Sequence, residues 1–61
     1  MFVELYDMQN GRAIIDIDEI EEIKPYGMNV DIKFKGSAWR RFSESYDEVK
    51  KILKKADVLI W

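Results

Sequence analysis

The spacing of apolar residues changes once along this chain, and the change decides its architecture. Up to Phe42, apart from Ile17, Ile20 and Ile23, they alternate in steps of two, most cleanly in Val30-Asp31-Ile32-Lys33-Phe34. From Val49 they recur as Val49, Ile52, Leu53 and Ala56, the i, i+3, i+4, i+7 stripe of one helix face. Between the two regimes lies Phe42-Ser43-Glu44-Ser45-Tyr46-Asp47-Glu48-Val49, where Ser45 precedes Glu48 by three positions. At that spacing the serine oxygen accepts from the Glu48 backbone N–H, and the Glu48 carboxylate accepts from the Ser45 N–H. Asp47 and Glu48 place negative charge in the first turn and Lys54 and Lys55 positive charge in the last, as the helix dipole favours. A helix starting after Ser45 is therefore expected, preceded by strands.

Those strands are read from alternation and turn chemistry. Phe2–Tyr6 alternates with Val3 and Leu5 on one face and Glu4 and Tyr6 on the other. Asn10-Gly11 follows, a pair suited to the positive φ of a two-residue hairpin turn. Ala13–Ile17 resumes, with Ala13, Ile15 and Ile17 in register. Asp18-Glu19 reads as a tight turn, although Ile17, Ile20 and Ile23 would also suit a helical turn capped by Asp18. A strand from Ile20 to Tyr26 must keep Pro25 on an edge, since proline cannot donate to a ladder. After a turn at Gly27-Met28-Asn29, Val30–Lys35 points Val30, Ile32 and Phe34 inward; Gly36-Ser37 then turns the chain into Ala38–Phe42. For that last strand the sets Ala38, Phe42 and Trp39, Arg41 compete for the inner face. The expected fold is α+β: one domain over residues 1–61, a small antiparallel sheet of four to five strands, and one C-terminal helix packed on it. Alternation leaves strand order open, and an open sheet and a closed curl are both compatible with it.

Sixty-one residues sit near the lower limit for a single unsupported core. The chain has no cysteine for a disulfide, and no cysteine or histidine for a structural zinc, so regular packing or self-association must serve instead. The segment Met1–Asp7 has neither a basic region nor a long apolar run, and no stretch approaches the roughly 20 apolar residues that span a bilayer. Neither a signal peptide nor a membrane association is expected, and a cytoplasmic location is.

Without histidine and cysteine, the commonest general base and the thiol nucleophile are missing. Asp16, Asp18 and Glu21 could offer oxygens to a hard cation, but their spacing is not that of a calcium loop, and a solvated acidic face is the simpler reading. With three glycines there is no glycine-rich phosphate cradle. No enzyme activity, metal or cofactor is expected.

The order of motifs resembles that of the FlbD/SwrD-type small proteins of bacteria and phages. The matching residues are Leu5 with Asn10-Gly11, Ile20-Glu21-Glu22-Ile23, then Val30, Ile32 and Phe34 with Gly36, and finally Phe42 through Val49. The resemblance covers roughly residues 3 to 53. It implies a small ββββα domain without enzymatic activity, linked in flagellated bacteria to motor function. The doubled arginine after Trp39 and the apolar residues before and including Trp61 depart from the flagellar members.

Net charge is −2, but the signs are segregated. Asp16 to Glu22 carries five carboxylates and no base, while Lys33 to Arg41 carries four bases and no acid. Acidic and basic strands side by side would neutralise each other across the sheet. Left exposed, Lys33, Lys35, Trp39, Arg40 and Arg41 form the expected partner-binding surface. A larger protein partner is the first reading, of the kind bound by small regulatory proteins of phages or prophages. Single-stranded nucleic acid, stacked on Trp39, is the second; a flagellar accessory role is the third. Val58, Leu59, Ile60 and Trp61 are four consecutive apolar residues of a kind monomers avoid exposing. They either pair with an edge of their own sheet or cross to a second copy; a homodimer is the expectation, because so small a core gains most from it.

Overall fold

The structure, a computed structural model, describes residues 1–56. Five strands and one helix follow in order: β1 Phe2–Asp7, β2 Gly11–Asp16, β3 Ile20–Tyr26, β4 Asn29–Phe34, β5 Trp39–Phe42 and α1 Tyr46–Lys55. A single 3-10 turn, Ile17–Glu19, links β2 to β3. The small antiparallel α+β fold expected from the alternation is the one formed, with the expected residues of β1 and β4 turned inward.

The first hairpin differs from expectation at its turn. Three residues, Met8-Gln9-Asn10, connect the strands, and Gly11 opens β2 opposite Asp7 with φ of +85°. The displacement by one residue comes from Asp7. Its Oδ1 accepts the N–H groups of Gln9 (2.8 Å) and Asn10 (3.1 Å), which curls the chain before Asn10 is reached. Gly11 then supplies the left-handed residue that a three-residue hairpin needs on re-entering its strand. The second turn is helical, but its cap is Asp16, whose Oδ1 accepts from the Asp18 N–H at 3.0 Å, in place of Asp18.

The strand order is β2-β1-β5-β4-β3, all neighbours antiparallel. β2 and β3 therefore stand at opposite edges, yet only three residues separate them. Such a link spans about 10 Å at most, so the sheet must roll until its edges approach. The Ile17 N–H reaches the Met1 carbonyl at 3.0 Å, and the Lys35 N–H the Glu19 carbonyl at 2.8 Å. Pro25 lies in β3, an outer strand, where a missing donor on the unpaired side costs nothing.

Inside the roll, Leu5, Ile15, Ile23, Val30, Ile32 and Phe42 are buried, and α1 adds Val49 and Leu53 against β3 and β4. The helix begins where the capping box places it. Glu48 N–H donates to Ser45 Oγ (3.1 Å), and Ser45 N–H to Glu48 Oε1 (3.4 Å). Ser45→Ala is expected to lower stability by about 1 kcal/mol, read as a lower urea midpoint at unchanged slope. An unchanged midpoint would mean that the cap adds nothing to the packing of Val49 and Leu53.

The first hairpin and the β3–β4–β5 meander meet along a short seam. β1 pairs with β5 at one position, Asp7 opposite Phe42. Main-chain bonds run from Met8 N–H to Arg41 O (2.9 Å) and from Ser43 N–H to Tyr6 O (2.8 Å). One step further on, the Glu44 carboxylate stands in for a strand, accepting from the Tyr6 N–H with both oxygens at 3.1 and 3.0 Å.

Candidate functional site

Pairing with β4 settles which way each β5 side chain points. Val30 lies opposite Phe42, Asp31 opposite Arg41, Ile32 opposite Arg40 and Lys33 opposite Trp39. Trp39 and Arg41 thus share the outer face, and Arg40 shares the inner one with Phe42. On the outer face β3 contributes Lys24, opposite Asp31, and Tyr26 near the turn.

Arg41 is fixed from two sides. Its Nε and Nη2 lie 2.7 and 3.1 Å from the two Asp31 oxygens, the bidentate geometry that makes such pairs specific. Its guanidinium also stacks on Tyr26, 3.4 Å from the ring centroid. The hydrogen bonds from Arg41 hold the Asp31 carboxyl below its ordinary pKa against the opposing effect of burial, and those to Asp31 raise that of the guanidinium. Trp39 is 39% exposed, with the Lys24 ammonium 5.0 Å from its ring.

The other bases of this face have acidic neighbours. Lys33 Nζ lies 2.8 Å from Glu21, and Lys24 Nζ 3.8 Å from Glu22. Acidic β3 beside basic β4 and β5 is the cross-sheet neutralisation that the segregated sequence allows. Lys35 is exposed beyond the end of β4, its main chain bound to Glu19. The acidic run has local work as well: Asp16 caps the 3-10 turn, and Asp16 and Asp18 lie 3.6 and 3.1 Å from the Met1 amino group. Among the described residues no cluster of three or more metal-ligating side chains occurs.

Arg40 is set apart from the other expected site residues. Its Nε and Nη2 both lie 2.9 Å from Oδ2 of Asp7, a carboxylate with 2% exposure. The guanidinium also sits 5.1 and 5.3 Å from the ring centres of Phe42 and Phe34. Burial pushes the Asp7 carboxyl up. The N–H groups of Gln9 and Asn10 and the Arg40 guanidinium more than offset that and hold it below its ordinary value. Asp7 was not among the expected site residues, although it occupies the third inward position after Val3 and Leu5, where a lone carboxylate signals a partner. Arg41→Ala is expected to leave the urea midpoint almost unchanged, since exposed ion pairs contribute little, while Arg40→Ala lowers it. Equal effects would contradict the division of the two arginines between faces.

Beside the seam, β1 and β5 diverge around a groove of about 480 Å³. Asp7, Met8 and Gln9 form one wall, and Asp31, Trp39, Arg40 and Arg41 the other. Compared with protein-family models, curated proteins and solved structures, the chain matches none of them. No helix among the described residues is long and apolar enough to cross a membrane.

Proposed function

We propose that this chain is a non-enzymatic cytoplasmic interaction protein that binds a larger protein through the outer face of β3, β4 and β5, in the manner of a small phage or prophage regulator. The observation that carries the reading is the trio Tyr26, Trp39 and Arg41. Tryptophan, tyrosine and arginine dominate the energetics of protein interfaces. Here they lie together on a paired three-stranded sheet, with Arg41 already held between Asp31 and Tyr26. Side chains ordered before the partner arrives lose less entropy on binding.

Nucleic acid is the second reading, favoured by an exposed Trp39 with Lys24 over its ring. It ranks lower because Lys24, Lys33 and Arg41 all face carboxylates, and phosphate binding rests on surplus positive charge. Affinity capture from lysate distinguishes the readings when the chain is compared with a Tyr26→Ala, Trp39→Ala double variant. One abundant protein lost by the variant, at an unchanged urea midpoint, supports protein binding. Capture of nucleic acid that falls away steeply with salt supports the second reading, and capture of motor components would move the protein to the flagellar class.

We further propose that the chain forms a homodimer through Val58, Leu59, Ile60 and Trp61, which lie outside the described residues. Sedimentation equilibrium on the intact chain and on a truncation ending at Asp57 tests this. An intact chain that sediments as a 7.3 kDa monomer overturns the dimer, and a dimeric truncation overturns the role of these four residues.

A further inference from the structure

We infer that the groove beside β5 takes up an extended, acidic segment of the partner as an added strand, paired with the free edge of β5. This rests on the reading of the chain as a protein-binding module and specifies how the partner is held. The argument starts from the main chain. Successive residues of a strand turn their N–H and C=O groups to opposite sides. Arg41 O and Ser43 N–H point toward β1, so the main-chain groups of Trp39 and the Arg41 N–H point the same way. Pairing with β1 ends at Asp7 opposite Phe42, and the chain then curls away through Met8 and Gln9. Trp39 therefore offers a donor and an acceptor to the groove, and Arg41 a donor, with no strand opposite. Unpaired edges of this kind are templates for another chain.

The side chains choose the chemistry of that chain. Four charged groups line the groove, and formally they cancel. They are not equally accessible. The Arg40 and Arg41 side chains are 36% and 42% exposed, while those of Asp7 and Asp31 are 2% and 21% exposed. Asp31, on β4, stands behind Arg41, so an incoming strand meets the Arg41 guanidinium edge first, while Arg40 reaches across to Asp7 on the other wall. Arginine has five donors in a fixed fork, and each of these two spends only part of its set on its aspartate. The remaining donors suit carboxylate side chains. Met8, 53% exposed, and Trp39 supply apolar contacts on either side. Side chains of an extended segment alternate between the two faces of the sheet, so a segment alternating carboxylate and apolar residues turns its carboxylates to Arg41 on the outer face while its main chain pairs with the β5 edge. The volume of about 480 Å³ falls within the range of ligand grooves.

The test uses the intact chain, labelled with ¹⁵N, and the capped peptide acetyl-Val-Glu-Val-Glu-Val-amide. The expected result is saturable binding in which the backbone N–H resonances of Trp39 and Arg41 shift and their hydrogen exchange slows at least tenfold. The same peptide N-methylated at every residue keeps no main-chain donor except its terminal carboxamide and should bind at least tenfold more weakly. The Gln-for-Glu peptide should lose several-fold, and the loss should shrink as salt is added. If the peptide shifts only side-chain resonances of Trp39 and Arg41, and N-methylation costs nothing, strand addition is overturned while docking on the outer face stands. If the peptide fails to bind at millimolar concentration, the inference is overturned. The protein-binding reading is then decided separately by the capture experiment with the Tyr26, Trp39 variant. Binding of a ten-residue oligothymidylate in place of the peptide, at the same two N–H groups, also overturns it.

Discussion

Phe42→Ala is expected to leave the chain largely unfolded in water at 25 °C. Phe42 is fully buried and stands at the seam, opposite Val30 of β4 on one side and Asp7 of β1 on the other. Its ring meets Phe34 edge-on, with centroids 6.2 Å apart and planes at 73°, and lies beneath the Arg40 guanidinium. Truncating such a residue costs roughly 3–5 kcal/mol, transfer and cavity together. A domain of this length has about 3–9 kcal/mol in total, so the loss removes between a third of the stability and all of it. The readouts are urea denaturation followed by circular dichroism and the dispersion of amide proton resonances. Ile14→Ala serves as the contrast, because Ile14 is 73% exposed and should change little. A Phe42→Ala protein with dispersed resonances and a midpoint near that of the parent would mean that the hairpin and the meander are held together by something other than this ring.

Elements stabilised by local chemistry were legible in the sequence, and those depending on a distant strand were not. β4 follows from its own alternation and α1 from its own cap, and both formed where the residues put them. Asn10-Gly11 on its own points to a turn one residue later than the one formed, because the Asp7 carboxylate three positions earlier bonds into the turn. The facing of β5 was undecidable by pattern because Arg40 occupies a core-facing position, which no alternation rule anticipates. Asp7 occupies another, and each makes the other tolerable; only the pairing of β1 with β5 brings them together. The contact between Asp7 and Arg40 spans 33 positions, and hydrophobic periodicity carries no information about it. Arg41 pairs with Asp31 across the β4–β5 ladder, while Glu44 goes to the Tyr6 N–H. Tyr26 went unnoticed as a site residue because it sits where β3 runs out into a turn, and its role depends on Arg41 arriving from a strand two places away.

Asp7→Ala is expected to cost about 3 kcal/mol near neutral pH, the lower end of the range for breaking a buried pair. The lower end applies because the orphaned Arg40, being partly exposed, can recover some hydration. The substitution also removes the acceptor for the Gln9 and Asn10 N–H groups, and so loosens the turn along with the seam. Asp7→Asn keeps an acceptor for that turn but presents a neutral group to the guanidinium, and should cost about 2 kcal/mol. Acid distinguishes charge from shape. The Asp7 pKa is lower in the folded chain than in the unfolded one, so the unfolded state takes up its proton first as pH falls. The stabilisation from the carboxylate is complete above the ordinary aspartate value of about 3.9. It fades as pH drops through the lower folded value. The gap in unfolding free energy between the parent and Asp7→Asn should therefore be full at about pH 7 and narrow steadily below about pH 4. Asp31 is shifted in the same direction by Arg41, so the comparison is made in an Asp31→Asn background, where that second titration is absent. A gap that stays constant down to about pH 2 would mean that the ionised form of Asp7 contributes nothing, and that the clamp between hairpin and meander is one of packing alone.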